Sequence, residues 1–183
     1  MIIPPLQVFG TQPWSGKTLA QVALEMNKPF EEVLIDDIGP NDASAAYFVM
    51  DQELQDRLLT DPHVMISTDG SPTMQHPRGC GSFAKVIRYY VREKQALSLE
   101  QAIHKMTGLP ARTLGLTKQK RGLIKTGYAA DILVFDPEKV QDKADYENPH
   151  LLSEGFDFVM VNGSVVRKAG EFTGKRGGHM LRK

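Results

Sequence analysis

Apolar runs and one amphipathic stretch alternate in the middle of the chain. Residues 43–50 form an apolar run of strand length, and Asp51 can cap a helix over residues 52–59. Residues 63–68 form a second apolar run, which ends in Asp69 followed at once by a glycine. The order strand, helix, strand is typical of parallel βαβ units. We therefore expect Asp69 at the carboxyl end of a buried strand, which is where α/β barrels place their catalytic groups.

Helical patterns flank this central unit on both sides. Residues 19–27 follow a capping threonine and repeat apolar side chains on one face. Residues 30–38 follow a proline and have two acids in their first turn. Residues 83–93 have the same one-sided apolar pattern. Further helices are predicted after Ser98, which can form a capping box with the glutamine three positions later, and over residues 110–114.

Beyond residue 116 the pattern changes to short β-like runs separated by turns. The runs are residues 123–124, 130–135, 156–161 and 164–166. Asn162-Gly163 lies between the last two runs, and this dipeptide is a strong signal for a type I′ hairpin. We place a domain boundary near residue 118, which divides the chain into residues 1–117 and 118–183.

Composition and charge narrow the class of protein. The 183 residues are 41% hydrophobic and 24% charged, as in ordinary globular domains. Twenty-two basic residues balance twenty-two acidic ones, so bulk charge does not indicate a nucleic-acid or membrane partner. The single cysteine, Cys80, excludes an internal disulfide. The first residues lack the pattern of a secretory signal, and no apolar run has the length of a membrane span. We expect a cytoplasmic protein.

The candidate chemistry lies just after the second apolar run. Asp69 is followed by His76-Pro77-Arg78 in a loop rich in glycine, proline and serine. A carboxylate near an imidazole and a guanidinium indicates a site for a polar, anionic substrate. Each residue also has a simpler interpretation, in which Asp69 caps a turn and Arg78 forms a structural ion pair. We expect His76 to support the loop and not to bind a metal, because it precedes a proline.

An ordered series of motifs resembles the D-aminoacylase (N-acyl-D-amino-acid deacylase) family of the amidohydrolase superfamily. The series covers nearly the whole chain, and its order makes it stronger than any single motif. It comprises Ser-Thr-Asp-Gly at 67–70, His-Pro-Arg at 76–78, Tyr-Tyr-Val-Arg-Glu at 89–93, Leu-Ser-Leu-Glu at 97–100, Lys-Met-Thr-Gly-Leu-Pro-Ala at 105–111, residues 127–137, and Val-Asn-Gly at 161–163.

The resemblance implies a fold that this chain is too short to complete. A full (β/α)8 barrel needs about 250 residues. The fold class that we expect is therefore α/β, with the last βα units of a metal-dependent hydrolase barrel in residues 1–117. Residues 118–183 would supply the C-terminal strands of a small β-sandwich domain.

The resemblance also implies roles for four residues. Asp69 would be both a zinc contact and the general base that takes a proton from metal-bound water. Arg78 would grip the α-carboxylate of an N-acyl-D-amino acid with its guanidinium fork. Tyr47 and Met50 match positions that line the pocket for the amino-acid side chain, although core packing is an equal alternative for both.

The remaining zinc ligands of the family, which include several histidines, are absent from this sequence. Zinc needs about three or four protein ligands. We therefore predict that the chain is the C-terminal part of such an enzyme and is inactive by itself. It would associate with itself or with an N-terminal partner chain. Two alternatives stay open: a non-catalytic binding or assembly module, and another amidohydrolase of the dihydroorotase or hydantoinase type.

Overall fold

The computed structural model describes residues 6–9, 13–39, 44–71 and 73–181 and has a mixed α/β architecture. Its helices are α1 (Leu19–Met26), α2 (Phe30–Glu32), α3 (Gln52–Thr60), α4 (Arg78–Lys85), α5 (Leu99–Met106) and α6 (Gly108–Thr113). Its strands are β1 (Leu6–Phe9), β2 (Ser44–Tyr47), β3 (Ile132–Phe135), β4 (Phe156–Val161), β5 (Ser164–Lys168) and β6 (Glu171–Phe172). Among these residues no helix has the length and apolar character needed to cross a membrane. The cytoplasmic location stays a prediction.

Side-chain caps fix the starts of three helices, as the sequence predicts. The Thr18 hydroxyl accepts a hydrogen bond from the amide of Gln21 at the start of α1, and the Gln21 side chain returns to the Thr18 amide. Ser98 and Gln101 form the same reciprocal capping box at α5. The Asp51 carboxylate accepts from the third amide of α3 at 2.8 Å. These caps satisfy amides that have no partner within a helix.

The helix predicted over residues 83–93 starts five residues earlier than expected. It begins as α4 at Arg78, directly after Pro77, and continues as a π-helical stretch over Val86–Glu93. Proline is favoured at the first turn of a helix because it has no amide hydrogen to leave unpaired. Helix α2 continues in the same way as a π-helix over Val33–Ile38.

The predicted parallel βαβ unit is wrong in the described part of the chain. Strand β2 pairs with β1 and runs antiparallel to it. The predicted strand over residues 43–50 also included residue 43, which lies outside the described residues. Residues 64–70 belong to no strand. They are held instead by Lys105 of α5, whose carbonyl accepts from the Ile66 amide at 3.2 Å. The Lys105 ammonium donates to the carbonyl of Asp61 and, at 2.6 Å, to that of Val64.

The C-terminal strands form one antiparallel sheet in the order β3-β4-β5-β6. Asn162 and Gly163 join β4 to β5 with positive φ angles of 47° and 77°. Positive φ at both central residues defines a type I′ turn, so the predicted hairpin is confirmed. The β-like run predicted at residues 123–124 is wrong, because both side chains are exposed and neither residue lies in a strand.

Three apolar clusters make up the core of the described residues. The first packs β1 against α1 and against the π-helix over Val33–Ile38. Its buried residues are Val8, Leu19, Val22, Ala23, Val33 and Ile38. The second contains Val86, Tyr90, Leu97 and Ala102, and the third contains Ala84, Ile87 and Val140. The helix that starts at Arg78 contributes to both the second and the third cluster. It therefore connects the helical region to the β-sheet.

Candidate active site

Asp69 lies in the irregular segment that precedes α4. Its φ angle is positive, at 48°, and 83% of its side chain is exposed. The next residue, Gly70, approaches the helix so closely that an added Cβ would lie 3.0 Å from the Cα of Gly79. This close approach places Asp69 beside the first turn of α4, where Arg78 is located.

Arg78 is tied to both other members of the predicted site. Its guanidinium Nη2 lies 2.7 Å from a carboxylate oxygen of Asp69. Its backbone amide donates to Nδ1 of His76 at 3.1 Å. Burial lowers the pKa of His76, and the positive charge of Arg78 lowers it further. An acceptor Nδ1 on a neutral ring fits the predicted loop-supporting role of His76.

A cleft of about 530 Å³ lies between the end of β2 and the loop before α4. Its lining includes Tyr47, Met50 and Arg78, the three residues predicted to bind substrate. Tyr47 is 63% exposed and Met50 is 65% exposed, so neither is a core residue. Asp69 does not line the cleft, but it forms an ion pair with Arg78, which does.

Sequence reasoning missed one contributor to the site, Tyr146. Its ring packs edge-on against Phe48 and against His76. The surrounding sequence Asp-Tyr-Glu-Asn-Pro at 145–149 has the composition of a turn. Nothing in that composition indicates proximity to residues so far away in the sequence.

The residues that surround Asp69 do not form a metal site. Within the described ranges there is no group of three or more histidine, cysteine, aspartate or glutamate side chains that could hold a metal ion. Asp69 would be a single ligand, and its carboxylate is engaged by Arg78.

Comparison with known proteins identifies the class. The profile of the amidohydrolase family matches residues 17–167. The chain belongs to this family, and the resemblance found in the sequence motifs is confirmed.

The particular relatives are deacylases of N-acyl-D-amino acids. The chain is 42% identical over 170 residues to an N-acyl-D-aspartate deacylase of Alcaligenes xylosoxydans xylosoxydans, covering 91% of this chain and 33% of the relative. It is 40% identical over 169 residues to a D-aminoacylase of the same organism, covering 91% of this chain and 34% of the relative. A crystal structure of N-acyl-D-glutamate deacylase from Bordetella bronchiseptica, complexed with zinc and a phosphonate inhibitor, matches with a TM-score of 0.79 and 34% identity, covering 92% of this chain and 36% of that chain. The chain thus spans about one third of the length of these relatives.

Proposed function

We propose that this chain is the C-terminal part of a zinc-dependent amidohydrolase that hydrolyses the amide bond of N-acyl-D-amino acids. The observation that carries the proposal is the convergence of Arg78, Tyr47 and Met50 on one cleft beside Asp69. The similarity to deacylases over 91% of the chain supports it. Residues 1–117 would be the last βα units of the barrel, and residues 118–183 the C-terminal strands of the small β-sandwich domain.

In this proposal Arg78 binds the α-carboxylate of the substrate. In the free chain its guanidinium is paired with Asp69 instead. Exposed ion pairs contribute only about 0–1 kcal/mol, so a substrate carboxylate can displace Asp69 at small cost. A bidentate contact with Arg78 would then fix the orientation of the substrate. Tyr47 and Met50 would receive the amino-acid side chain, and their apolar character favours hydrophobic side chains.

Asp69 would serve as the general base once Arg78 has turned to the substrate. Its carboxylate accepts a proton from the attacking water as the water oxygen bonds to the amide carbon. It then donates that proton to the amide nitrogen as the C–N bond breaks, which releases the acid and the D-amino acid. A carboxylate suits both steps because it can hold the proton in between.

The donor set of this chain does not fit a zinc ion by itself. Structural and catalytic zinc sites use about three or four protein ligands. The described residues offer Asp69 without a cluster of further donors. We therefore assign the other ligands to the part of the relatives' length that this chain does not span, whether it is joined to this chain or is a separate partner. The chain by itself should then be inactive and retain zinc poorly through dialysis.

The two alternatives are less well supported. A cyclic-amide hydrolase is not favoured, because the chain is 42% and 40% identical to the two deacylases but only 24% and 23% identical to two dihydroorotases. A non-catalytic module is not favoured either, because it gives no reason for the match over nearly the whole chain.

The test is Asp69→Asn in the complete protein that contains this chain. An amide of the same shape cannot accept the proton, so kcat for N-acetyl-D-methionine should fall by about 10²–10⁴-fold. Asp157→Asn, at an exposed position on β4, is the matched control and should leave kcat unchanged. An Asp69→Asn protein that keeps kcat within a few-fold of the unmodified protein would refute the role of Asp69.

A further inference from the structure

A segment from the C-terminal half of the chain lies against the candidate site. We call residues 142–153 the covering segment. At one end, Arg88 donates to the carboxylate of Asp142 from Nε at 2.5 Å and from Nη2 at 3.2 Å. At the other end, the Ser153 hydroxyl donates to the carbonyl of Cys80 at 3.0 Å. Both anchor points are on the helix that starts at Arg78, so the segment is fixed to the element that carries the candidate guanidinium.

A turn within the covering segment sets the direction of Tyr146. One carboxylate oxygen of Asp145 accepts from the amide of Glu147 at 3.0 Å and from the amide of Asn148 at 2.6 Å. This pattern is an Asx turn, which an aspartate side chain stabilises from within. Tyr146 lies inside the turn, so its backbone is held by its neighbours on both sides.

The Tyr146 ring contacts His76, which lines the cleft, and Phe48, which lies between the lining residues Tyr47 and Val49. Its centroid lies 5.1 Å from that of Phe48 and 5.1 Å from that of His76, with interplanar angles of 72° in both pairs. Phe48 directly follows Tyr47 at the end of β2, and His76 lies two positions before Arg78. Edge-to-face geometry at this distance is a favourable arrangement of aromatic rings.

The Tyr146 side chain is half-buried where it lies between Phe48 and His76. Burial raises the pKa of its phenol, and the charge of Arg78 opposes that rise. Phe48 is 47% exposed with the Tyr146 ring against it, so this ring covers only part of the chain at the end of β2.

We propose that Tyr146 is a positioning residue, whose ring fixes the spacing between the loop that carries Arg78 and the strand end that carries Tyr47 and Met50. It does not touch the reacting atoms; it sets the width of the cleft between two walls that are separate in sequence. The consequence for substrate binding rests on the proposed function, whereas the coupling of the two walls does not.

The test compares Tyr146→Leu with Tyr146→Phe in the complete protein. Leucine removes the ring and both edge contacts, whereas phenylalanine keeps the ring. Tyr128→Leu is the matched control, since Tyr128 is a half-buried tyrosine that lies next to Lys125 in a different cleft. Hydrogen exchange is measured over residues 44–50 and 73–80, with residues 156–168 as a check that the fold is intact. KM and kcat are measured with N-acetyl-D-methionine.

Tyr146→Leu should accelerate exchange in both wall segments and leave residues 156–168 unchanged. It should raise KM by about tenfold or more and change kcat by less than about threefold, because Asp69 keeps its place. Tyr146→Phe and Tyr128→Leu should both stay within about threefold of the unmodified protein.

Faster exchange in neither wall, or in one wall only, would overturn the proposal. So would a Tyr146→Phe protein that behaves like Tyr146→Leu, since the ring would then not be the coupling element. If the unmodified protein does not hydrolyse N-acyl-D-amino acids, the proposed function fails, and the exchange data still decide the role of Tyr146.

Discussion

Arg78 is the residue on which the candidate site depends most directly. Its amide fixes His76, its guanidinium pairs with Asp69, and its side chain lines the cleft. The series of motifs predicted that a carboxylate and a guanidinium lie close together, and the ion pair of Asp69 with Arg78 agrees with that placement. The catalytic and binding roles of these residues stay predictions. The sequence did not predict Tyr146, because a ring contact between residues 76 and 146 leaves no local signal in either segment.

Arg78→Lys in the complete protein should weaken the use of substrates that have a free α-carboxylate. Lysine keeps the charge but cannot form the bidentate fork. Losing a charge-assisted hydrogen bond costs about 1.5–3 kcal/mol, so kcat/KM should fall by roughly 10–150-fold. Arg57→Lys, at an exposed position on α3, is the control variant. An equal loss on N-acetyl-D-methionine and on its α-amide would show that Arg78 is not the carboxylate contact.

At the scale of secondary-structure elements, the caps and the hairpin turn predicted from local sequence patterns are confirmed, whereas the predicted parallel pairing of strands is wrong. The caps at Thr18 and Ser98 and the turn at Asn162-Gly163 depend on a few neighbouring residues, and all are confirmed. The strand predicted over residues 63–68 is wrong, because a strand needs a neighbouring strand to pair with. The backbone of this segment is bonded to a lysine of α5 and not to another strand. An apolar run in the sequence contains no information about whether its partner is present.

The connection between β3 and β4 depends on a close backbone approach at Gly155. Its φ is +87°, and an added Cβ would lie 2.6 Å from the backbone of Lys139 and Val140. Gly170 has nearly the same φ, +88°, but open space around it. Gly170→Ala should therefore cost only the backbone strain, about 1–2 kcal/mol. Gly155→Ala should cost clearly more, because it also displaces the buried Val140.

Thermal unfolding of the two alanine variants measures this difference. We expect Gly155→Ala to lower Tm by several degrees more than Gly170→Ala does. Equal shifts would show that the loop at residues 139–140 moves aside without cost and that the close approach does not support the third core cluster.

At the scale of the whole molecule, the described residues leave many large apolar side chains uncovered. Large hydrophobic side chains are exposed on several elements, among them Leu24, Ile35, Val49, Ile124 and Phe172. Exposed apolar patches mark surfaces that contact another protein part. The relatives are about three times as long as this chain, so the N-terminal region that we propose would be a sufficient explanation.

The isolated 183-residue chain should therefore dimerise, aggregate or be partly molten. Sedimentation velocity at tens of micromolar should detect species heavier than 20.4 kDa, or thermal unfolding should lack a cooperative transition. Addition of the N-terminal two thirds of a close relative is the control and should reduce self-association. A well-folded monomer with a sharp thermal transition would contradict the prediction and would mean that the chain closes its own fold.

The anchoring of the covering segment has a consequence for the order of folding. Its two anchor pairs join residues 54 and 73 positions apart in sequence. Contacts across such distances form slowly, because closing the intervening loop costs conformational entropy before the contacts contribute any stabilising free energy. The helix that starts at Arg78 can form from local interactions, whereas the wall that Tyr146 completes must wait for the C-terminal half of the chain. During synthesis, the binding cleft would therefore acquire its final width only after β3 and the covering segment have emerged. Nascent chains that stop before residue 146 would carry every proposed catalytic and substrate-binding residue of this chain without a formed cleft.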